Sequence, residues 1–156
     1  MINQTVNIQP FNKRYTPDFE KLNFEWLEKY FYIEEYDRKV LGNPQKFILD
    51  KGGYIFFATI NNKAVGTVAL IKRGNGVYEL SKMAVTQVHQ GMRIGQKLMY
   101  YTINFAGING FKTLFLESNT ILEPAIRLYK KVGFKETPKS KDSPYERSNI
   151  RMELKL

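Results

Sequence analysis

The chain has 156 residues, 43% of them apolar and 25% charged, which is the balance of an ordinary globular protein at a length suited to one domain. It carries a formal charge of +9, one histidine and no cysteine, so disulfides, thiolate metal sites and a cysteine acyl-enzyme are excluded and no metal is expected. No run approaches the roughly 18 apolar residues of a membrane span, and MINQTVNIQPF lacks a basic start followed by an apolar stretch; no signal peptide is expected, and the cytoplasm is the default compartment.

In chain order, TVNIQPF (5–11) reads as a first strand. Thr16-Pro17-Asp18 reads as a helix start, with a hydroxyl cap, proline at the first helical position and an acid in the first turn; Phe19, Leu22, Trp26 and Tyr30 follow at helical spacing. A second short helix ends near Gly42-Asn43-Pro44, and 45–50 form a further helical turn. The period then changes. YIFFATI (54–60), AVGTVALI (64–71) and VYELSKMAV (77–85), separated by Asn61-Asn62-Lys63 and Gly74-Asn75-Gly76, predict an antiparallel meander.

After Val85 comes a polar loop and then a helix to about Asn109, with Ile94, Leu98, Tyr101, Phe105 and Ile108 spaced along one face and Gly110 past its end. KTLFLES (112–118) reads as a strand that can lie parallel to 77–85. A helix over about 124–132 is opened by Pro124 and closed by Gly133; a polar loop (138–144) and a last strand (149–156) follow.

Two features point to an anionic ligand. Gln90-Gly91-Met92-Arg93-Ile94-Gly95 lies at the entry of the long helix, where the first amides lack internal partners and the helix dipole is positive. The charge is also uneven: residues 1–50 hold 7 basic and 8 acidic side chains, and residues 51–156 hold 17 and 7. A tight turn inside a basic surface is the plainer account of the same residues.

Taken together, the stretches resemble the GNAT superfamily of N-acetyltransferases. QGMRIG resembles its coenzyme A signature and YELSKMAV the strand leading into it. Leu116-Glu117-Ser118-Asn119 resembles the next strand, and AIRLYKKVGF (125–134) the helix that follows. One departure is Arg93, where the family usually has glycine; its amide can still donate if its backbone is helical. The resemblance implies an α+β, three-layer α-β-α fold: a single domain over 1–156 with a mixed, mostly antiparallel sheet of six to seven strands and helices on both faces.

It further implies acetyl-CoA as co-substrate, no metal, and a primary amine of a small molecule or peptide as acceptor, attacked directly in a ternary complex. Cofactor contacts are implied for Met83, Ala84, Val85, Gln90, Gly91, Met92, Arg93, Ile94, Gly95, Gln96, Asn119 and Tyr129. Tyr129 takes the place of the general acid and Glu79 that of the base, each with a plain structural alternative: a packed helix residue and a surface carboxylate. Asn119 has its own, capping the next turn. His89 precedes the loop and is given no catalytic role. The acceptor pocket is expected from Trp26, Tyr30, Glu34 and Tyr145, an aromatic and acidic set that suits a cationic amine.

Relatives that pair through sheet edges imply a homodimer as one arrangement. A non-catalytic acyl-CoA sensor and a basic nucleic-acid binder are the alternatives. The second ranks lower because the lysines are scattered, and no nucleic-acid or membrane partner is expected.

Overall fold

The computed structural model describes residues 5–156 apart from Gln90, Ser140, Asp142 and Pro144. Among the described residues one sheet takes strands β1 (Asn7–Pro10), β2 (Tyr54–Ile60), β3 (Lys63–Gly74), β4 (Val77–Val85), β5 (Thr113–Ser118), β6 (Lys135–Thr137) and β7 (Ile150–Lys155). Their order is β1-β2-β3-β4-β5-β7-β6, and every neighbour pair is antiparallel except β4–β5. The expected meander is β2–β4. The fold class is α+β, mostly antiparallel, as the resemblance implied.

Helices α1 (Thr16–Tyr30) and α2 (Glu35–Gly42) lie on one face of the sheet, and α3 (Ile94–Ile108) packs on the other; α4 (Glu123–Lys131) follows β5 and seats Ile126 and Tyr129 against that second core. β2 shows why both faces are covered. Phe56, Ala58 and Ile60 enter the core under α3, while Ile55 and Phe57 enter the core under α1, so the strand is apolar throughout rather than alternating. Gly66 of β3 is required by packing: a Cβ there would sit 3.1 Å from both Ile94 Cγ2 and Leu98 Cδ1, the residues that bring α3 onto the sheet.

Several boundaries differ locally from expectation. Thr16 is the first residue of α1 rather than its cap, and its hydroxyl donates to the Lys13 carbonyl at 2.8 Å. The turn at 45–50 is a wide one over Gln45–Leu49. Pro124 is the second residue of α4, which starts at Glu123.

The decisive feature is in β4. Thr67 pairs with Ala84 but Ala69 with Ser81, so Lys82 and Met83 together face one residue of β3. Lys82 adopts φ 55°, a left-handed conformation that bends the strand. β4 and β5 pair only over Val77–Glu79 and Thr113–Phe115. Beyond that β4 runs on to Val85 and β5 to Ser118 unpaired with each other, and the sheet opens.

Candidate active site

A cavity of about 540 Å³ fills this opening, with Leu80–Val85 on one wall and Leu116–Asn119 on the other. Gly95 and Tyr129 line the end toward α3 and α4; Trp26, Tyr30, Asp37 and Tyr145 line the end toward α1 and α2.

At the α3 end the walls are backbone. Helix α3 begins at Ile94, and its first intrahelical bond is donated by Lys97 to the Arg93 carbonyl at 3.0 Å. The amides of Ile94, Gly95 and Gln96 precede that bond, and no side chain caps them. Arg93 does not meet the helical condition set for its amide: at φ 58° and ψ 33° it is left-handed, the conformation that glycine adopts without steric cost and that costs an L-residue about 1–2 kcal/mol.

Gly91 answers to its own backbone, which is left-handed at φ 92°, but no contact inside the protein excludes a side chain at either Gly91 or Gly95. A Cβ at Gly91 (φ 92°) would meet nothing within 4 Å, and one at Gly95 would only touch Val85 Cγ2 at 4.0 Å. Open space beside uncapped amides fits a phosphate-bearing ligand. Met92 packs against the core under α3. Gln90 lies outside the described residues.

Tyr129 is held by α4, whose end turns so that the Phe134 amide donates to the Tyr129 carbonyl at 2.9 Å and the two rings meet edge to face. Burial raises its phenol above the ordinary pKa, and the Ser118 hydroxyl beside it offsets part of that. Asn119 is engaged by backbone: its Nδ2 donates to the Arg147 carbonyl at 2.7 Å, and its Oδ1 accepts from the Ile121 amide at 3.0 Å.

The opposite end is built from side chains. Asp37, fully buried on α2, accepts from both terminal nitrogens of Arg147 at 2.8 and 2.9 Å and from the Glu34 amide at 2.9 Å. Glu34 itself accepts from Arg147 Nη1 at 2.6 Å and from the Glu146 amide at 3.2 Å. It caps α2 and does not line the cavity, unlike Trp26, Tyr30 and Tyr145 from the same expected set. The bulge aims Lys82 into this cluster, with its side chain 4% exposed, Nζ bonded to the Tyr145 hydroxyl and 3.7 Å from Asp37 Oδ1. Burial lowers its pKa to about 8, with Asp37 acting in the other direction. Burial likewise pushes the Tyr145 phenol up.

The two strand carboxylates separate in role. Glu79 is buried and its Oε1 accepts from Arg73 Nε and Nη2 at 2.9 and 2.7 Å; it does not line the cavity. Glu117 does line it. Its Oε2 accepts from the Ser143 hydroxyl at 2.6 Å, and no cation lies within 4 Å among the described residues. Sequence reasoning passed over Glu117 and Lys82 as site residues. The signal was their position near the ends of two neighbouring parallel strands, where open sheets place ligands.

A model described as "Acetyltransferase (GNAT) family" matches residues 8–134. A probable N-acetyltransferase camello from Xenopus laevis is 31% identical over 115 residues, covering 72% of this chain and 52% of its own length. An uncharacterized N-acetyltransferase from Schizosaccharomyces pombe is 27% identical over 124 residues, covering 77% and 76%. The chain thus spans about half the length of the camello relative. Among solved structures, a GNAT-family acetyltransferase from Staphylococcus aureus Mu50 superposes with TM-score 0.86 at 23% identity over 97% of this chain and 99% of that one. The PaiA N-acetyltransferase from Thermoplasma acidophilum, in complex with coenzyme A, gives 0.75 at 16% over 97% and 99%. These structural likenesses concern the fold.

Proposed function

The chain belongs to the acetyltransferase (GNAT) family, and from that premise we propose that it moves the acetyl group of acetyl-CoA to a primary amine by direct attack within a ternary complex. The observation that carries the reading is the cavity in the parted sheet, which has uncapped helix amides at one end and a titratable cluster at the other. Residues 1–156 are taken as one catalytic domain, at home in the cytoplasm.

Phosphate oxygens are assigned to the amides of Ile94, Gly95 and Gln96, with Gly91 and Gly95 leaving room for them. The side of Met83–Val85 that faces away from β3 is assigned to the amide-rich arm of the ligand, as a peptide adds to a sheet edge. Asn119 serves this end indirectly, holding the turn after β5.

An amine nucleophile with a pKa near that of lysine, about 10.4, must lose a proton before attack. Glu117 is a better candidate for that proton than Glu79, because it lines the cavity without a cationic partner whereas Glu79 is held by Arg73. The nitrogen then forms its bond to the acetyl carbon as the carbon–sulfur bond breaks, and it releases a second proton that replaces the one Tyr129 gives up. Tyr129, whose raised pKa keeps it protonated, donates to the departing sulfur.

The test uses the absence of cysteine: a thiol reagent reads released CoA against a clean background. Turnover of at least one amine is expected, and Tyr129→Phe is expected to lower kcat about 100-fold with little change in KM for acetyl-CoA. Thermal stabilisation by acetyl-CoA without turnover of any amine would replace the enzyme by a binding module.

A further inference from the structure

Four charged side chains line the cavity: Asp37, Lys82, Glu117 and Arg147. They balance in sign but not in availability. Asp37 and Arg147 are spent on each other, on Glu34 and on backbone. Glu117 has the Ser143 hydroxyl for a partner and, among the described residues, no cation within 4 Å. Lys82 has three N–H donors, one partner within hydrogen-bond distance in Tyr145, and Asp37 beyond that distance at 3.7 Å. Glu117 and the spare donors of Lys82, which keeps its ion pair with Asp37, are therefore available to a ligand on walls formed by the two diverging strands. Trp26, Leu27, Tyr30 and Phe31 add an apolar surface.

Resting on the acetyltransferase reading, we propose that the acceptor is a zwitterionic amino carboxylate with an apolar side chain: Glu117 receives its ammonium group and Lys82 its carboxylate. Glu117 is then both anchor and proton acceptor for the reacting nitrogen, and Lys82 determines specificity without taking part in the proton transfers. A polyamine or a simple alkylamine satisfies Glu117 and leaves the donors of Lys82 unused. This narrows the expected preference for a cationic amine, because Glu34, the acid on which that preference rested, is paired with Arg147.

The charge of Lys82 at neutral pH supports the assignment. The groups around it are Asp37 and Tyr36 of α2, Tyr145 and Arg147 of the β6–β7 connection, and Glu79 and Arg73 of the sheet. With a pKa near 8, Lys82 stays mostly protonated at pH 7.

The experiment compares kcat/KM of the full chain for matched pairs that differ in the carboxylate, phenylalanine against phenethylamine and leucine against 3-methylbutylamine, with spermidine alongside. The amino acids are expected to lead by about 10-fold or more, the scale of a charge-assisted hydrogen bond. In Lys82→Met and Lys82→Gln the ratio is expected to collapse toward one, through a rise in KM for the amino acids. Equal or better turnover of the decarboxylated amines or spermidine by the wild type overturns the proposal, and that comparison needs no variant. An unchanged ratio in both folded variants overturns it as well. Turnover of the plain amines or spermidine without turnover of either amino acid overturns the acceptor class alone; stabilisation by acetyl-CoA with no acceptor turned over, or no stabilisation at all, overturns the acetyltransferase reading with it.

Discussion

The two ends of the cavity are made by different means. At the α3 end the groups on offer are main-chain amides at a helix start, with glycines that leave space and no ion pair to arrange. At the α1–α2 end the groups are side chains from α1, α2, β4, β5 and the β6–β7 connection, locked by short charge-assisted bonds. The first kind of site needs only a local backbone path and tolerates drift in surrounding sequence. The second exists only when the whole sheet is assembled, and each of its members supports the others. The ligand shared across a large family suits the first, and the ligand that distinguishes one member suits the second.

The largest expected effect breaks the side-chain end. Asp37→Ala leaves Arg147 and Lys82 buried beside a missing carboxylate, and unfolding by denaturant is expected to reveal a loss of about 3–5 kcal/mol. The backbone end is tested by Gly95→Glu, which places a like charge against phosphate. Acetyl-CoA affinity by calorimetry is expected to fall about 100-fold or more, near 3 kcal/mol. The fold is expected to survive, since a Cβ at that position meets ordinary contact only. Retained affinity in that folded variant would place phosphate elsewhere.

A third substitution compares the two strand carboxylates. Glu117→Gln is expected to lower kcat/KM about 100-fold at neutral pH, whereas Glu79→Gln acts on stability through Arg73. The reverse pattern in steady-state kinetics would return the base to Glu79.

The smallest effect appears only with pH. Lys82 loses its proton near pH 8 in the folded protein and near 10.5 when unfolded, so folding releases a proton between those values. Stability of the wild type relative to Lys82→Met is therefore expected to rise with pH across that window, by up to about 3 kcal/mol. A flat difference between paired denaturation curves would mean that the bulge does not bury the amine.

Much of the scaffold was legible from the chain itself. The meander at 54–85, the helix after the glycine loop and the parallel return at 112–118 all follow from patterns within ten or fifteen residues: period, turn dipeptides, and apolar spacing over Ile94–Ile108. The uncapped amides at the start of α3 were legible for the same reason, being a consequence of where a helix starts. Even there, the left-handed backbone of Arg93 escaped, because arginine carries no local mark for it.

What the sequence by itself determined is thus the order of elements and the backbone end of the cavity, since both arise from interactions between near neighbours. Tertiary structure alone decided the rest. The bulge at Lys82 depends on register against β3, and Asp37 meets Arg147 from 110 residues away. A carboxylate's chemistry depends on what surrounds it, and the surroundings of Glu34, Asp37, Glu79 and Glu117 are set by strand pairing and long-range closure rather than by adjacent residues.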